Sequence, residues 1–530
     1  MTAPRVLISD KLSKSAVQIF KDRGVDVDYQ PDLGKDKEKL LSIVGDYDGL
    51  AIRSATKVTE KVLEAAGKLR VIGRAGIGVD NVDVPRATAR GIIVMNTPFG
   101  NSITTAEHAV AMMFALARDL PAADASTRAG KWEKNRFMGV EITAKTLGVI
   151  GCGNIGSIVA DRAIGLHMKV IAFDPFLSDE RARDLGVEKV ELDELLRRAD
   201  FITLHTPLTE KTKNIIDKAA IARMKDGVRI INCARGGLVV EEDLAEALKS
   251  GKVAGAGIDV FSVEPAENNV LFSAPNVVCT PHLGAATTEA QENVALQVAE
   301  QMSDYLVNGA VANALNMPSI SAEEAPRLLP FVKLAENLGS FAGQLTESTI
   351  LGARIEYAGD VAEMNTRALT AALLAGLLRP ILSEVNMVNA PVIARDRNIA
   401  VDETRQSQRG AYETYIRLTV RSERQERSVA GTVFQDGRPR IIQIKGIDME
   451  GGFDPYMLYI TNKDKPGFIG RLGTLLGSQQ VNIATFNLGR KAAGEDAIAL
   501  IAVDGPIGDT VLEGVAALEG VVQAKRLSFV

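Results

Sequence analysis

Cysteine and histidine are scarce in this chain of 530 residues, which carries three Cys, four His and a single Trp. Cysteines at 152, 233 and 279 form neither a disulfide framework nor a metal-ligand spacing. That excludes the stapled secreted class, predicts a reducing cytoplasmic setting, and gives no reason to expect a metal. Long apolar runs are absent too. The stretch 109–117 stops at Arg118, short of the roughly 18 residues that a membrane helix needs. The N-terminus MTAPRVLISDKL lacks a signal-peptide core. Nor is there an excess of positive charge: 61 Lys and Arg against 67 Asp and Glu give a formal net charge of −6. A broad nucleic-acid footprint is therefore not expected. What the chain does have is length and a 46% hydrophobic share, enough for roughly three or four domains.

Strand-like segments at 5–10, 25–29, 47–54, 69–76 and 91–98 alternate with helical or polar stretches. That alternation predicts a parallel sheet with covering helices. An apolar helix is expected over 104–118. A second alternation has strands at 146–150, 169–174, 201–206, 229–234, 255–260 and 276–281, as a doubly wound sheet buried on both faces requires. Helix 285–307 then leads the chain back. The expected plan is α/β, with two doubly wound, Rossmann-like units, one inserted in the other: 1–98 and 283–316 flank a nucleotide unit, 99–282. Pro326 and Pro330 are expected to break the chain before a helix face at Leu334, Leu338, Phe341 and Leu345. A mixed α+β unit fills 317–453, with a hairpin over 428–444 that turns at Asp436 and Gly437. The tail, 454–530, reads βαββαβ, a ferredoxin-like order.

Gly151, Cys152, Gly153, Asn154, Ile155 and Gly156 fit G-x-G-x-x-G. Alone, that pattern equally describes a tight strand-to-helix turn. Here a strand precedes it, an amphipathic helix follows, and the next strand ends in Asp174, 18 positions beyond Gly156. Glycines let the backbone approach a pyrophosphate at the positive helix end, and the carboxylate accepts from ribose hydroxyls. A 2′-phosphate would be repelled there, so the cofactor expected is NAD rather than NADP.

A nicotinamide enzyme acting on an alcohol needs a group that takes the hydroxyl proton. His108 lies on an apolar helix and reads as packed or capping; His167 lies in a loop away from the ligand edge. His205 and His282 both end strands at the ligand edge. Glu264 gives His282 a candidate carboxylate partner, which favours it modestly over His205.

RAGIGVDNVD (74–83), NTPFGNS (96–102), CARGGLV (233–239), DVFSVEP (259–265) and TPHLGA (280–285) occur in order within residues 1–316. Together they resemble the D-isomer-specific 2-hydroxyacid dehydrogenases, and within that family the long forms that act on D-3-phosphoglycerate. The resemblance implies Arg235, Glu264 and His282 as the catalytic set. His282 would be the acid/base, Glu264 would fix its tautomer and raise its pKa, and Arg235 would grip the substrate carboxylate. It also implies Asn154 and Ile155 at the pyrophosphate and Asp174 at the ribose. Thr206, Cys233, Ala234, Arg235 and Asp259 would lie near the ribose and nicotinamide, with His282, Leu283, Gly284 and Ala285 bordering the ring. Arg53, Arg74 and Asn101 would bind a phosphorylated hydroxy acid, and Lys134 would reach a neighbouring subunit's site. Two positions depart from the family pattern: Ile77 stands where relatives often carry Thr, and Val240 where Asp is common.

VNAPVIA (388–394) and SVAGTVF (428–434) resemble the intervening domain of those long forms, and the tail resembles an ACT domain, which pairs between subunits as a homodimer or homotetramer. Asp464 and Asn482 match positions that would hold an L-serine effector; Asn462 stands where serine-inhibited relatives have an aromatic. The activity so implied is NAD-dependent oxidation of D-3-phosphoglycerate, the first step of L-serine biosynthesis. Its alternatives are a dehydrogenase or reductase of another D-2-hydroxy acid, 2-oxoglutarate included, and an NADH-sensing regulator.

Overall fold

The computed structural model describes residues 3–321, 323–406 and 412–529, and these form four sheets. The first is five-stranded and parallel, in the order Asp26–Tyr29, Arg5–Ile8, Gly49–Ile52, Val71–Arg74 and Ile93–Met95. Its strands are short and apolar because helices cover both faces. The helix Thr288–Asn308 returns to it from beyond the second sheet. Val298 and Met302 of that helix lie over Gly73, where any Cβ would overlap them.

The second sheet has seven parallel strands. Their order is Val277–Cys279, Val253–Ile258, Val228–Asn232, Phe201–Leu204, Thr146–Ile150, Lys169–Phe173 and Glu188–Lys189. The chain enters at Thr146–Ile150, builds outward to one side and then to the other. The strand order therefore reverses beside that strand, and ligands bind at the carboxyl ends around such a switch. Helix Ser102–Ala117 packs on this sheet, with Met112 and Leu116 against Gly257. Several strands end earlier than the composition suggests: Phe201–Leu204 leaves His205 and Thr206 in the following loop, and Val277–Cys279 leaves His282 in another.

The third unit carries a six-stranded mixed sheet ordered Ala400–Gln406, Ile350–Gly359, Thr414–Ser422, Glu426–Val433, Pro439–Ile444 and Ile447–Gly451. The strands Glu426–Val433 and Pro439–Ile444 are the expected hairpin. The expected break at Pro326 and Pro330 is corrected: helix Ala325–Gln344 runs through both. Pro326 lies in the first turn, where its missing N–H has no helical partner anyway, and Pro330 forfeits only one bond close to the helix start. This helix crosses Thr366–Leu378, in which all residues but Arg367 are buried. The two backbones touch at Gly339, Gly343 and Gly376, each facing a carbonyl of the opposite helix.

The last sheet is antiparallel, ordered Ile483–Arg490, Asp496–Val503, Met457–Lys463 and Val521–Leu527. Helices Phe468–Ser478 and Asp509–Ala516 cover one face through Leu472, Leu476, Val511 and Val515. The other face packs on the third unit, where Phe341 meets Tyr459 edge to face with ring centroids 5.7 Å apart. One continuous apolar core thus runs from Val6 and Phe20 through Met302, Leu328, Leu338 and Ile355 to Met457 and Leu500. No helix among the described residues is long and apolar enough to cross a membrane.

Candidate active site

The glycine turn joins Thr146–Ile150 to the helix Asn154–Gly165. Gly151 takes a positive φ of 89°, which glycine adopts without strain. A Cβ on Gly156 would overlap the carbonyl of Gly151, so the helix approaches the strand more closely than any side chain permits. Gly153 faces open space, with nothing within 4 Å of an added Cβ. Asp174, just after Lys169–Phe173, accepts from Cys152 N–H and Phe176 N–H, both at 2.8 Å. Its carboxylate is locked beside the turn with lone pairs left for two hydroxyls. An open cradle at a helix N-terminus beside a fixed carboxylate fits NAD.

From the turn a cleft of about 350 Å³ opens between the first two sheets, and Asn154, Thr206, Ala234, Arg235, His282 and Ala285 are among its walls. Glu264 Oε2 lies 2.7 Å from His282 Nδ1; its Oε1 accepts from Phe261 N–H at 3.0 Å. Burial pulls the Glu264 carboxyl upward, but the imidazole and that N–H outweigh it and hold the group below the ordinary carboxylate range. Conversely, the hydrogen bond to Glu264 raises the His282 pKa above its ordinary value. His282 has φ 56°, a left-handed conformation that a non-glycine residue keeps only when its surroundings hold it. Asp259 supplies that hold. Fully buried, it accepts from Thr280 Oγ1 and from the N–H groups of Leu283 and Gly284, while its carbonyl accepts from His282 N–H. His108 supports Asp259 from behind, with Nε2 3.3 Å from Oδ1.

His205 is a different kind of histidine. Burial pushes its pKa down to about 4; Nε2 meets Thr203 Oγ1 at 2.8 Å, and Nδ1 is buried without a partner. A neutral ring lacking a carboxylate neighbour is a poor acid. His167 is exposed in a turn.

Arg74 and Arg235 line the cleft, and Arg53 stands near enough to Arg74 to repel it. Burial, then Arg235 and Arg53, lower the Arg74 pKa to about 10. Arg74 Nε, a donor, and Asn101 Oδ1, an acceptor, are buried without partners, which suits a ligand that offers both an accepting oxygen and a donating hydroxyl. Arg53 is set by Asp10, whose Oδ2 accepts from Arg53 N–H at 2.6 Å, and by Asn81 Nδ2, which donates to Arg53 O at 2.6 Å. Arg235 Nη1 donates to Ala234 O at 2.7 Å.

Residues 110–284 match the model of the D-isomer specific 2-hydroxyacid dehydrogenase NAD binding domain, and residues 327–445 that of the D-3-phosphoglycerate dehydrogenase intervening domain. The D-3-phosphoglycerate dehydrogenase of Synechocystis sp. is 43% identical over 525 residues, 99% of this chain and 94% of that protein. That of Bacillus subtilis is 40% identical over 99% of both chains. The chain belongs to the D-3-phosphoglycerate dehydrogenase family. Among solved structures, a glyoxylate reductase from Paecilomyces thermophila superposes with a TM-score of 0.55 at 30% identity, over 59% of this chain and 99% of its own. The D-lactate dehydrogenase of Escherichia coli gives 0.52 at 30% identity over the same shares. Both are shorter chains that account for 59% of this longer phosphoglycerate dehydrogenase family member.

Within this family member the expected catalytic and cofactor residues gather at one edge. Leu283, Gly284 and Ala285 form the loop beyond His282, and Cys233 lines the cleft although its thiol is buried. Asp259 holds that loop from beneath, and its carboxylate is consumed in doing so. Ile77 lines the cleft, and Val240 precedes the helix Glu241–Ser250. Lys134 is exposed in the short turn Lys134–Arg136, outside the residues lining the cleft. In the tail, Asp464 accepts from Arg490 at 2.8 Å and from Gly494 N–H at 3.1 Å, whereas Asn482 donates to Asp504 at 2.6 Å. Each has its own partner. Asp10 and Asn81 hold the backbone at Arg53, Asp259 holds that at His282 to Gly284, and Gly76 and Gly78 make room: a Cβ on Gly76 would overlap Arg74, and one on Gly78 would overlap Arg235.

Proposed function

We propose that the chain oxidises the 2-hydroxyl of D-3-phosphoglycerate to give 3-phosphooxypyruvate, the opening reaction of L-serine biosynthesis. One observation carries the reading: His282, paired with Glu264, lines the same cleft as Arg74, Arg235 and the helix start Asn154 and Ile155 that follows the glycine turn. Arg235 grips the substrate carboxylate as a planar fork and polarises the neighbouring C2 oxygen. Arg74 and Arg53 take the phosphate, whose charge relieves their mutual repulsion. His282 removes the hydroxyl proton, and Glu264 stabilises the imidazolium that results. NAD, when bound, accepts the hydride from C2. Closure of the cleft around the substrate excludes water from the reacting carbon.

The assay is NADH formation with D-3-phosphoglycerate, D-glycerate and D-lactate in parallel. Turnover of the phosphorylated acid far above the other two is expected. Equal rates on all three would overturn the phosphate assignment.

We further propose a homo-oligomer built on residues 99–138, where Phe99, Ile103, Trp132 and Met138 are exposed, Trp132 by 88%. Lys134 then stands near the neighbouring subunit's cleft. An L-serine effector at Asp464 and Asn482 is proposed on the resemblance alone, and it must displace Arg490 and Asp504. A cytoplasmic setting is proposed on the three unpaired thiols. Light scattering with Trp132→Glu, and rates with added serine, test the first two.

A further inference from the structure

Asp80 is a charged residue at the cleft with no part in the reaction described above. It belongs to the loop between Val71–Arg74 and Val84–Ala89, and its side chain is 73% exposed. Even so, Oδ2 lies 3.2 Å from the Nε of Arg235. The two residues come from opposite walls: Asp80 from the five-stranded unit, Arg235 from the loop after Val228–Asn232 of the seven-stranded unit. Arg235 is therefore held at two edges of its guanidinium, Nε by Asp80 and Nη1 by Ala234 O. Nη2 has no hydrogen-bond partner among the described residues and passes over Gly78, where only a missing Cβ leaves room.

We propose that Asp80 is the positioning residue for the carboxylate-binding fork, fixing the plane of Arg235 from across the cleft so that Nη2 is aimed at the substrate. This rests on Arg235 being the carboxylate grip. An arginine side chain has many rotamers, and a bidentate fork works only when its plane is set beforehand. An exposed ion pair contributes little to stability, so the consequence of this one is orientation rather than folding. Because the pair joins the two walls, the fork is aligned only when the walls stand at this separation, which ties substrate capture to the closure of the cleft. The opposite reading makes Asp80 a resident anion that competes with the substrate for Arg235, and the two readings differ in sign.

The test uses the full-length protein with Asp80→Ala and Asp80→Asn, measuring kcat and KM for D-3-phosphoglycerate, NADH affinity by fluorescence, and thermal stability. For Asp80→Ala, kcat/KM is expected to fall a few-fold, up to about 5-fold, with a raised KM and a lowered kcat, as expected when the bias of an exposed pair on the fork is lost. NADH affinity and stability stay at wild-type values. Asp80→Asn keeps an oxygen facing Nε but not the charge of the ion pair, and recovers only part of the loss. In an Arg235→Lys background, which has no Nε–H, Asp80→Ala changes nothing further. A lowered KM at constant kcat in Asp80→Ala, or no change at all, would overturn the proposal. Wild-type protein inert toward D-3-phosphoglycerate defeats the functional reading by itself; the same comparison is then made on the 2-oxo acid that the wild type reduces with NADH.

Discussion

Glu264 Oε2 stands 2.7 Å from His282 Nδ1, which commits one imidazole nitrogen to the carboxylate and leaves Nε2 for the proton exchange of the proposed reaction. The contact raises the His282 pKa, and the direction of the pH dependence follows. Oxidation needs the neutral ring, so kcat/KM for oxidation rises with pH through the raised value. Reduction needs the imidazolium, so its rate falls through that same value. Glu264→Gln removes the carboxylate and moves both limbs to lower pH. His282→Ala lowers turnover by about 10²–10⁴-fold with NADH binding retained. Profiles recorded in both directions check this, and limbs that stay put in Glu264→Gln would detach the carboxylate from the imidazole.

Asp174 is held by two backbone N–H groups beside the glycine turn. Asp174→Ala removes charge-assisted hydrogen bonds to the ribose, which lowers NADH affinity by roughly 10–100-fold. It also removes the repulsion of a 2′-phosphate, so the ratio of NADPH to NADH use rises. Titration of both reduced cofactors by fluorescence measures the change, and an unaltered ratio would disprove it.

Gly156→Ala places a methyl against the Gly151 carbonyl. Neither partner can move, since both belong to the strand-turn-helix backbone, and the cost is about 3 kcal/mol, the upper end for overpacking. Calorimetry should show a lowered Tm that added NADH only partly restores.

His205 is buried neutral, with its pKa pushed down to about 4. A histidine depressed in the folded state contributes stability that is present above the unfolded value of about 6.5. That contribution is lost as pH falls toward the folded value, because the unfolded chain binds the extra proton. His205→Gln should flatten the stability curve between those two values. Denaturant midpoints measured across that window decide it, while activity near neutral pH is expected to persist, since the proposed acid/base is His282.

Arg74 has a buried Nε without a partner and a pKa of about 10. Arg74→Met should raise KM for D-3-phosphoglycerate by 10-fold or more, on the order of one lost charge-assisted contact, and affect D-glycerate far less. Equal effects on both acids would place Arg74 at the carboxylate instead.

The dinucleotide turn was legible in the residues because its requirements are local: Gly151 needs a positive φ, Gly156 needs no side chain, and Asp174 follows at a fixed interval. The residues alone favour His282 with Glu264 only modestly over His205, and the set with Arg235 rests on the resemblance, since three separate loops meet through parallel pairing that no spacing along the chain encodes. Asp10, Asn81 and Asp80 escaped notice for the same reason: each acts on an arginine far away in sequence or in the opposite wall. Pro330 misled because a proline near a helix start resembles a break, although the turn already lacks the bond that proline removes. In the tail, Asp464 follows the strand Met457–Lys463 and Asn482 precedes Ile483–Arg490, and their partners, Arg490 and Asp504, depend on how the chain folds back.

The single apolar core that joins the five-stranded sheet, the crossed helices Ala325–Gln344 and Thr366–Leu378, and the inner face of the terminal sheet bears on how the molecule comes apart. The nucleotide unit has its own two cores, entered and left by helices Ser102–Ala117 and Thr288–Asn308. Cooperative units follow continuous packing rather than the linear order of segments. On heating, residues from the two ends of the chain should therefore melt in one transition, while the stretch between them melts in another, with a midpoint that NAD concentration shifts separately.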